Sequence, residues 1–189
     1  MLDHIFARYD AVLVLDTETT GISCRKDEII ELAVLKAGQD EAGLCELETM
    51  DEFVRLSEGR HLPDKIVELT GITERMLLDD GISKRQAAEM FSRMFGERTL
   101  IVAYNAQFDL CFLYYFLAQF GMADVLKGAK MLDALTVYKD RRPFPISSAT
   151  LSMRTSSRRR TRTGPLTMRA PRSSCLPRWS KRSRIWSGT

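Results

Sequence analysis

Asp16 and Glu18 stand two residues apart where the apolar run Ala-Val-Leu-Val-Leu at 11–15 ends. On an extended strand both carboxylates leave the same face and can converge on one cation, while Thr17 between them points the other way. A third acid, Asp109, opens an apolar helix-like segment after a second buried run. Hard divalent ions such as Mg²⁺ or Mn²⁺ prefer oxygen ligands. A pair of them roughly 3.5 to 4 Å apart can hold both the attacking and the leaving oxygen of a phosphodiester. Such a site needs several carboxylates delivered by separate elements. Singly, each acid has a plainer role: Asp16 and Glu18 could close a strand, and Asp109 could sit at a helix start favoured by the macrodipole.

The elements that must position these acids read as an α/β layered domain. Residues 11–15 form a short continuous apolar run, expected as a central strand buried on both faces. After a Thr-Thr-Gly turn, residues 28–36 and 44–56 read as further strands of a mixed or antiparallel meander. Pro63 opens a short helix over 64–69 that stops at Thr70-Gly71, where Gly71 can take a positive φ. A second helix is expected over 83–95, a buried strand over 99–103, and a strongly apolar helix over 107–120 closed by Gly121.

Asp16-Thr17-Glu18-Thr19-Thr20-Gly21 after a hydrophobic strand resembles the first exonuclease motif of the DEDD superfamily, and Asn105-Ala106-Gln107-Phe108-Asp109 resembles the second. Between them, Leu62-Pro63 and Leu69-Thr70-Gly71-Ile72-Thr73 resemble a loop found in the proofreading epsilon subunit of bacterial DNA polymerase III and its relatives. The resemblance covers residues 9–145. It implies an RNase H-like exonuclease fold, a mixed sheet flanked by helices with its C-terminal part incomplete. It implies two Mg²⁺ or Mn²⁺ ions on Asp16, Glu18 and Asp109, and 3′–5′ hydrolysis of DNA ends to nucleotide monophosphates in replication proofreading or repair. Thr19, Thr20 and Gly21 would shape the pocket for the terminal nucleotide. Asn105 and Phe108 would position substrate or the metal-bearing helix. Asp133 matches an acid common in the family that is not usually a metal ligand, and is read as structural. The implied partners are DNA with a single-stranded or frayed 3′ end and a DNA polymerase subunit.

The family's third motif, a His or Tyr a few residues before a fourth Asp, has no counterpart here. The histidines are His4 and His61, read as surface residues, and no Asp or Glu follows Asp140. Loss of a general base alone removes a factor of roughly 10² to 10⁴ in rate, so the chain as it stands is expected to be nearly inactive.

Charge divides the chain at the same place. Residues 1–145 hold all 25 acids against 17 Lys and Arg, a balance of −8, whereas residues 146–189 hold ten Arg, one Lys, ten Ser and no acid, a balance of +11. That second composition cannot easily cover a core. Two domains of unlike kind are therefore expected, an exonuclease domain over 1–145 and an Arg/Ser-rich tail over 146–189, disordered or out of frame. Restoring one base to a run of C near codons 144–145 permits Phe-Pro-His-Lys-Leu in the shifted frame, similar to a Pro-x-His-Lys-Leu segment in relatives. A native basic arm that binds nucleic-acid phosphates is the alternative, and it supports a second function, a non-catalytic nucleic-acid-binding protein. An exoribonuclease of the same superfamily is a third.

Cys24, Cys45, Cys111 and Cys175 show no C-x-x-C pairing and no zinc-ligand spacing, so free thiols in a reducing cytosol are expected. The first apolar run is too short for a signal peptide and no run reaches membrane-spanning length, which points to a cytoplasmic protein without a membrane partner.

Overall fold

The computed structural model describes residues 2–141. The expectations that fall on 142–189, the basic tail and the shifted frame, lie outside the described residues. A five-stranded sheet in the order β3-β2-β1-β4-β5 forms the framework. Its strands are β1 (Ala11–Thr19), β2 (Ile29–Asp40), β3 (Gly43–Phe53), β4 (Thr99–Ala103) and β5 (Lys130–Asp133). β1, β2 and β3 form an antiparallel meander, whereas β4 pairs parallel with β1 and β5 parallel with β4. Parallel neighbours need crossover connections. The helices supply them: α4 (Lys84–Met94) precedes β4, and α5 (Ala106–Ala118) links β4 to β5.

Burial alternates along β1, with Ala11, Leu13, Leu15, Thr17 and Thr19 turned inward. The inward side chains of β1 and β2 meet Ala87, Ala88 and Phe91 of α4 and Phe112, Leu113, Phe116 and Leu117 of α5 in one core. The opposite face of β1 is more open, and Val14 is 37% exposed. The expectation of burial on both faces is thus corrected: a continuous apolar run of five residues does not distinguish one covered face from two.

A second cluster of Ile30, Phe53, Leu62, Ile72 and Leu77 packs under α2 (Asp64–Thr70) and α3 (Glu74–Asp79). Gly71 closes α2 with φ 75°, the left-handed value anticipated for it. α3 follows at once, its first turn capped by the Thr73 hydroxyl, which accepts from the Met76 N–H at 3.3 Å. Six residues span under two turns, too few for a periodic signal, and α3 has no opening proline like that of α2 to mark it in the sequence. β5 and the helices α1 (Leu2–Phe6) and α6 (Ala134–Asp140) are likewise too short to carry a periodic signal.

Candidate active site

β1 runs past its apolar segment and carries Asp16 and Glu18 on its less buried face, while Thr17 turns toward α5. Asp109 sits one turn into α5 and is only 3% exposed. Its Oδ1 accepts two hydrogen bonds from Thr17, from the backbone N–H at 3.0 Å and from the hydroxyl at 2.7 Å. Thr17, set aside in the sequence because it points away from its neighbours, is therefore the residue that ties the first acidic segment to the second. The signal was available in its alternation: a residue opposite Asp16 and Glu18 must face the helix layer that carries Asp109.

The three carboxylates act on one another. Burial, then the charges of Asp16 and Asp109, push Glu18 up to about 7. Burial raises Asp109 to about 6; the Thr17 hydroxyl bond opposes that rise and the charge of Asp16 adds to it. Burial also raises Asp16. Three acids from two elements, each disfavoured in its charged form, are a donor set short of positive charge. The donors are all hard oxygens, the chemistry that suits Mg²⁺ or Mn²⁺. Among the described residues, however, no group of three or more His, Cys, Asp or Glu side chains is arranged as a ready metal-ligand cluster.

Thr19, Thr20 and Gly21 shape the turn that leaves β1. The Thr19 hydroxyl donates to the Gly21 carbonyl at 2.6 Å, and Thr20 Oγ1 accepts from the Glu28 N–H at 3.0 Å. A Cβ on Gly21 would lie 2.5 Å from Asp27 Oδ2, which accepts from the Ser23 N–H at 2.8 Å. Any larger residue there would displace the Asp27 carboxylate from that bond.

Asn105 precedes α5 in the left-handed region, φ 60° and ψ 46°, a conformation that Asn tolerates better than most residues. Its N–H donates to Asp133 Oδ1 at 3.0 Å, and Asp133 also accepts from the Leu135 N–H and the Thr136 hydroxyl. Desolvation raises the Asp133 carboxyl, but these hydrogen bonds outweigh it and hold the group below its ordinary value. Asp133 is thus a bracket between the β4–α5 turn and the start of α6. Phe108 stacks on Phe112 at 4.9 Å between centroids, against the main core, which anchors the first turn of α5. His4 and His61 are exposed, with His61 Nδ1 3.4 Å from Glu74 Oε1.

The thiol expectation is corrected for two cysteines. Cys24 and Cys111 form a disulfide across 87 residues with Cα atoms 5.8 Å apart, while Cys45 is free. The loop after β1 folds back alongside α5, and no local spacing in the sequence encodes that approach.

Over residues 13–145 the sequence matches the exonuclease family of the RNase T type. The chain belongs to this exonuclease family. Among relatives, the PolC-type DNA polymerase III of Halalkalibacterium halodurans is 35% identical over 122 residues, 64% of this chain and 8% of that protein. The PolC-type polymerase of Thermotoga maritima is 39% identical over 106 residues, 53% of this chain and 7% of that protein. The chain therefore spans less than a tenth of these relatives. Exonuclease I in a product-bound structure superposes with a TM-score of 0.63 at 19% identity, covering 78% of this chain and 38% of that one. E. coli Exonuclease I in complex with a dT13 oligonucleotide gives 0.61 at 19% identity, covering 74% and 32%. Both the DEDD-type, proofreading-like resemblance and the RNase H-like exonuclease fold, a mixed sheet flanked by helices, are borne out.

Proposed function

We propose that residues 1–145 form a Mg²⁺- or Mn²⁺-dependent 3′–5′ exonuclease domain that releases nucleotide monophosphates from DNA 3′ ends, and that the chain as it stands is impaired. The observation that carries this reading is geometric: Asp16 and Glu18 share one face of β1, and Thr17 between them ties the buried Asp109 of α5 to that strand through two hydrogen bonds. These three residues would hold the cations. When bound, divalent cations make a bound water more acidic and stabilise charge on the departing oxygen. The protein's own part is to present three charged oxygen donors at one strand end and to keep Asp109 fixed through Thr17. The Thr19-Thr20-Gly21 turn would border the terminal nucleotide, with Asn105 and Phe108 setting the start of α5.

The impairment follows from the third motif, which has no His and no acid to supply it beyond Asp140. Residues 146–189 are read as an out-of-frame segment, and the gene's nucleotide sequence decides this. A restored frame should contain a His-x-x-x-x-Asp pattern; an intact run of C with no such frame would refute the shift. The polymerase relatives favour a role beside a DNA polymerase subunit, in replication or repair, in the cytoplasm.

The test uses 5′-labelled single-stranded DNA with Mn²⁺. A frame-restored chain should shorten the strand from its 3′ end, and the present chain should be at least about 100-fold slower. Activity that survives Asp16→Ala, or that survives EDTA, would show the metal assignment to be wrong.

The charge split favours a second reading, a non-catalytic nucleic-acid-binding protein that uses its basic tail. Under it, DNA affinity falls steeply with salt and disappears when 146–189 are deleted.

A further inference from the structure

The loop after the Thr-Thr-Gly turn encloses a cavity of about 620 Å³ against α5, with Lys84 at the start of α4 and Ser57 and Arg60 beyond β3 completing the wall. Its charges are uneven: Arg25, Lys26, Arg60 and Lys84 face two carboxylates, Asp27 and Glu28. Glu28 is already committed, 2.7 Å from Lys84 Nζ and 3.5 Å from Arg60 Nε, and the Asp27 carboxylate accepts from the Ser23 N–H. Arg25 and Lys26 are exposed and supply the uncompensated positive charge.

Arg25 is also placed on an aromatic surface. Its guanidinium carbon lies 5.5 Å from the Tyr115 ring centroid, and its Nε donates to the Tyr115 hydroxyl at 2.9 Å. Tyr114 meets Tyr115 edge-on at 5.4 Å and is 51% exposed. A planar cation on an aromatic ring beside a free ammonium suits a base and a phosphate together, the combination that stacking platforms use for single strands. The cavity lies beside the candidate active site, because its wall residue Cys24 is joined to Cys111, two residues after Asp109. The loop leaves directly from Thr20-Gly21, and the lining residues Phe112 and Tyr115 follow Asp109 along α5 by three and six residues, about 9 Å at 1.5 Å per residue.

We propose that this cavity is a second nucleic-acid subsite, where Arg25 and Tyr115 hold a base and Lys26 a phosphate of the strand upstream of the terminal nucleotide. The inference rests on the exonuclease reading for the direction of the strand, and not on its chemistry. A free mononucleotide offers the same groups, so the experiment separates the two sources.

Fluorescence anisotropy with the full chain in EDTA, where nothing is hydrolysed, compares a dT12 oligonucleotide, a dT2 dinucleotide and thymidine monophosphate. Arg25→Ala, a surface change, should weaken dT12 at least about threefold, and Arg25→Ala with Tyr115→Ala about tenfold. The dT2 affinity should stay within about twofold of the parent. Lys26→Ala should reduce the salt slope for dT12 by about 0.7. Unchanged dT12 binding in Arg25→Ala overturns the subsite. Equal losses for dT12 and dT2 also overturn it, because the loop would then act through the terminal pocket. A loss for thymidine monophosphate as large as that for dT12 makes the cavity a free-nucleotide site and overturns the strand assignment. Failure of the metal reading, seen as hydrolysis surviving Asp16→Ala in a frame-restored chain, leaves every one of these readouts unaltered.

Discussion

Thr17 holds Asp109 through two hydrogen bonds to one carboxylate oxygen, and the pair is buried. Thr17→Val removes the hydroxyl and keeps the shape, leaving a buried carboxylate with one donor fewer. Bonds to charged groups contribute roughly 1.5 to 3 kcal/mol, so urea unfolding at pH 8 should show a loss of about that size, with Thr17→Ser close to the parent. The acids themselves set a pH dependence. Glu18 and Asp109 bind protons more tightly folded than unfolded, with folded values of about 7 and about 6 against ordinary values of 4.5 and 3.8. The folded state therefore carries the extra protons, and stability falls as pH rises from about 4 to about 7. Asp16→Asn removes a charge that raises both neighbours, so its metal-free stability profile should be flatter and higher above pH 7. In the parent, Mn²⁺ should raise the melting temperature more at pH 8 than at pH 5. A pH-independent metal effect would count against these carboxylates as its site.

At the scale of elements, the loop between β1 and β2 is held to α5 by Cys24 and Cys111. A cross-link closing a loop this long stabilises by up to about 4 kcal/mol on a chain-entropy estimate. Peptide mapping without reductant should recover the linked pair, and the double change Cys24→Ser with Cys111→Ser should lower the denaturation midpoint under oxidising conditions only. Gly21→Ala would push into the Asp27 carboxylate that orders the same loop, at an expected cost of about 1 to 3 kcal/mol. The strands and long helices were legible before the fold was known. The run at 11–15 gave the start of β1, the stretch at 99–103 matched β4 to the residue, and α4 and α5 fell within two residues of their expected ends. α1, α3, β5 and α6 were not legible, because at four to seven residues they hold little periodicity and carry neither a continuous apolar run like that of β4 nor an opening proline like Pro63 before α2.

The whole molecule joins an acidic compact unit, which ends at Val137, to a strongly basic sequence. Residues 1–145 carry −8 and residues 146–189 carry +11. Phosphate contacts by single strands change the salt slope by about 0.7 each. The full chain should therefore bind DNA with a steep slope that truncation after residue 145 reduces by several contacts, read by anisotropy between 50 and 200 mM salt, a range over which about six or more contacts alter affinity strongly. No helix among the described residues is long and apolar enough to cross a membrane.

Much of the candidate site was readable because its chemistry is local. Asp16 and Glu18 share a face through the two-residue period of a strand, and Gly71 marks a turn through a backbone preference of its own. Those features, their order along the chain and the missing third motif depend on sequence alone. The tertiary structure decided what spans long separations: the bonds from Thr17 to Asp109 over 92 residues, the Cys24–Cys111 link over 87, and the seating of Arg25 on Tyr115. It also decided how far the acids are raised, since burial and like charge act through space and no spacing along a chain measures either.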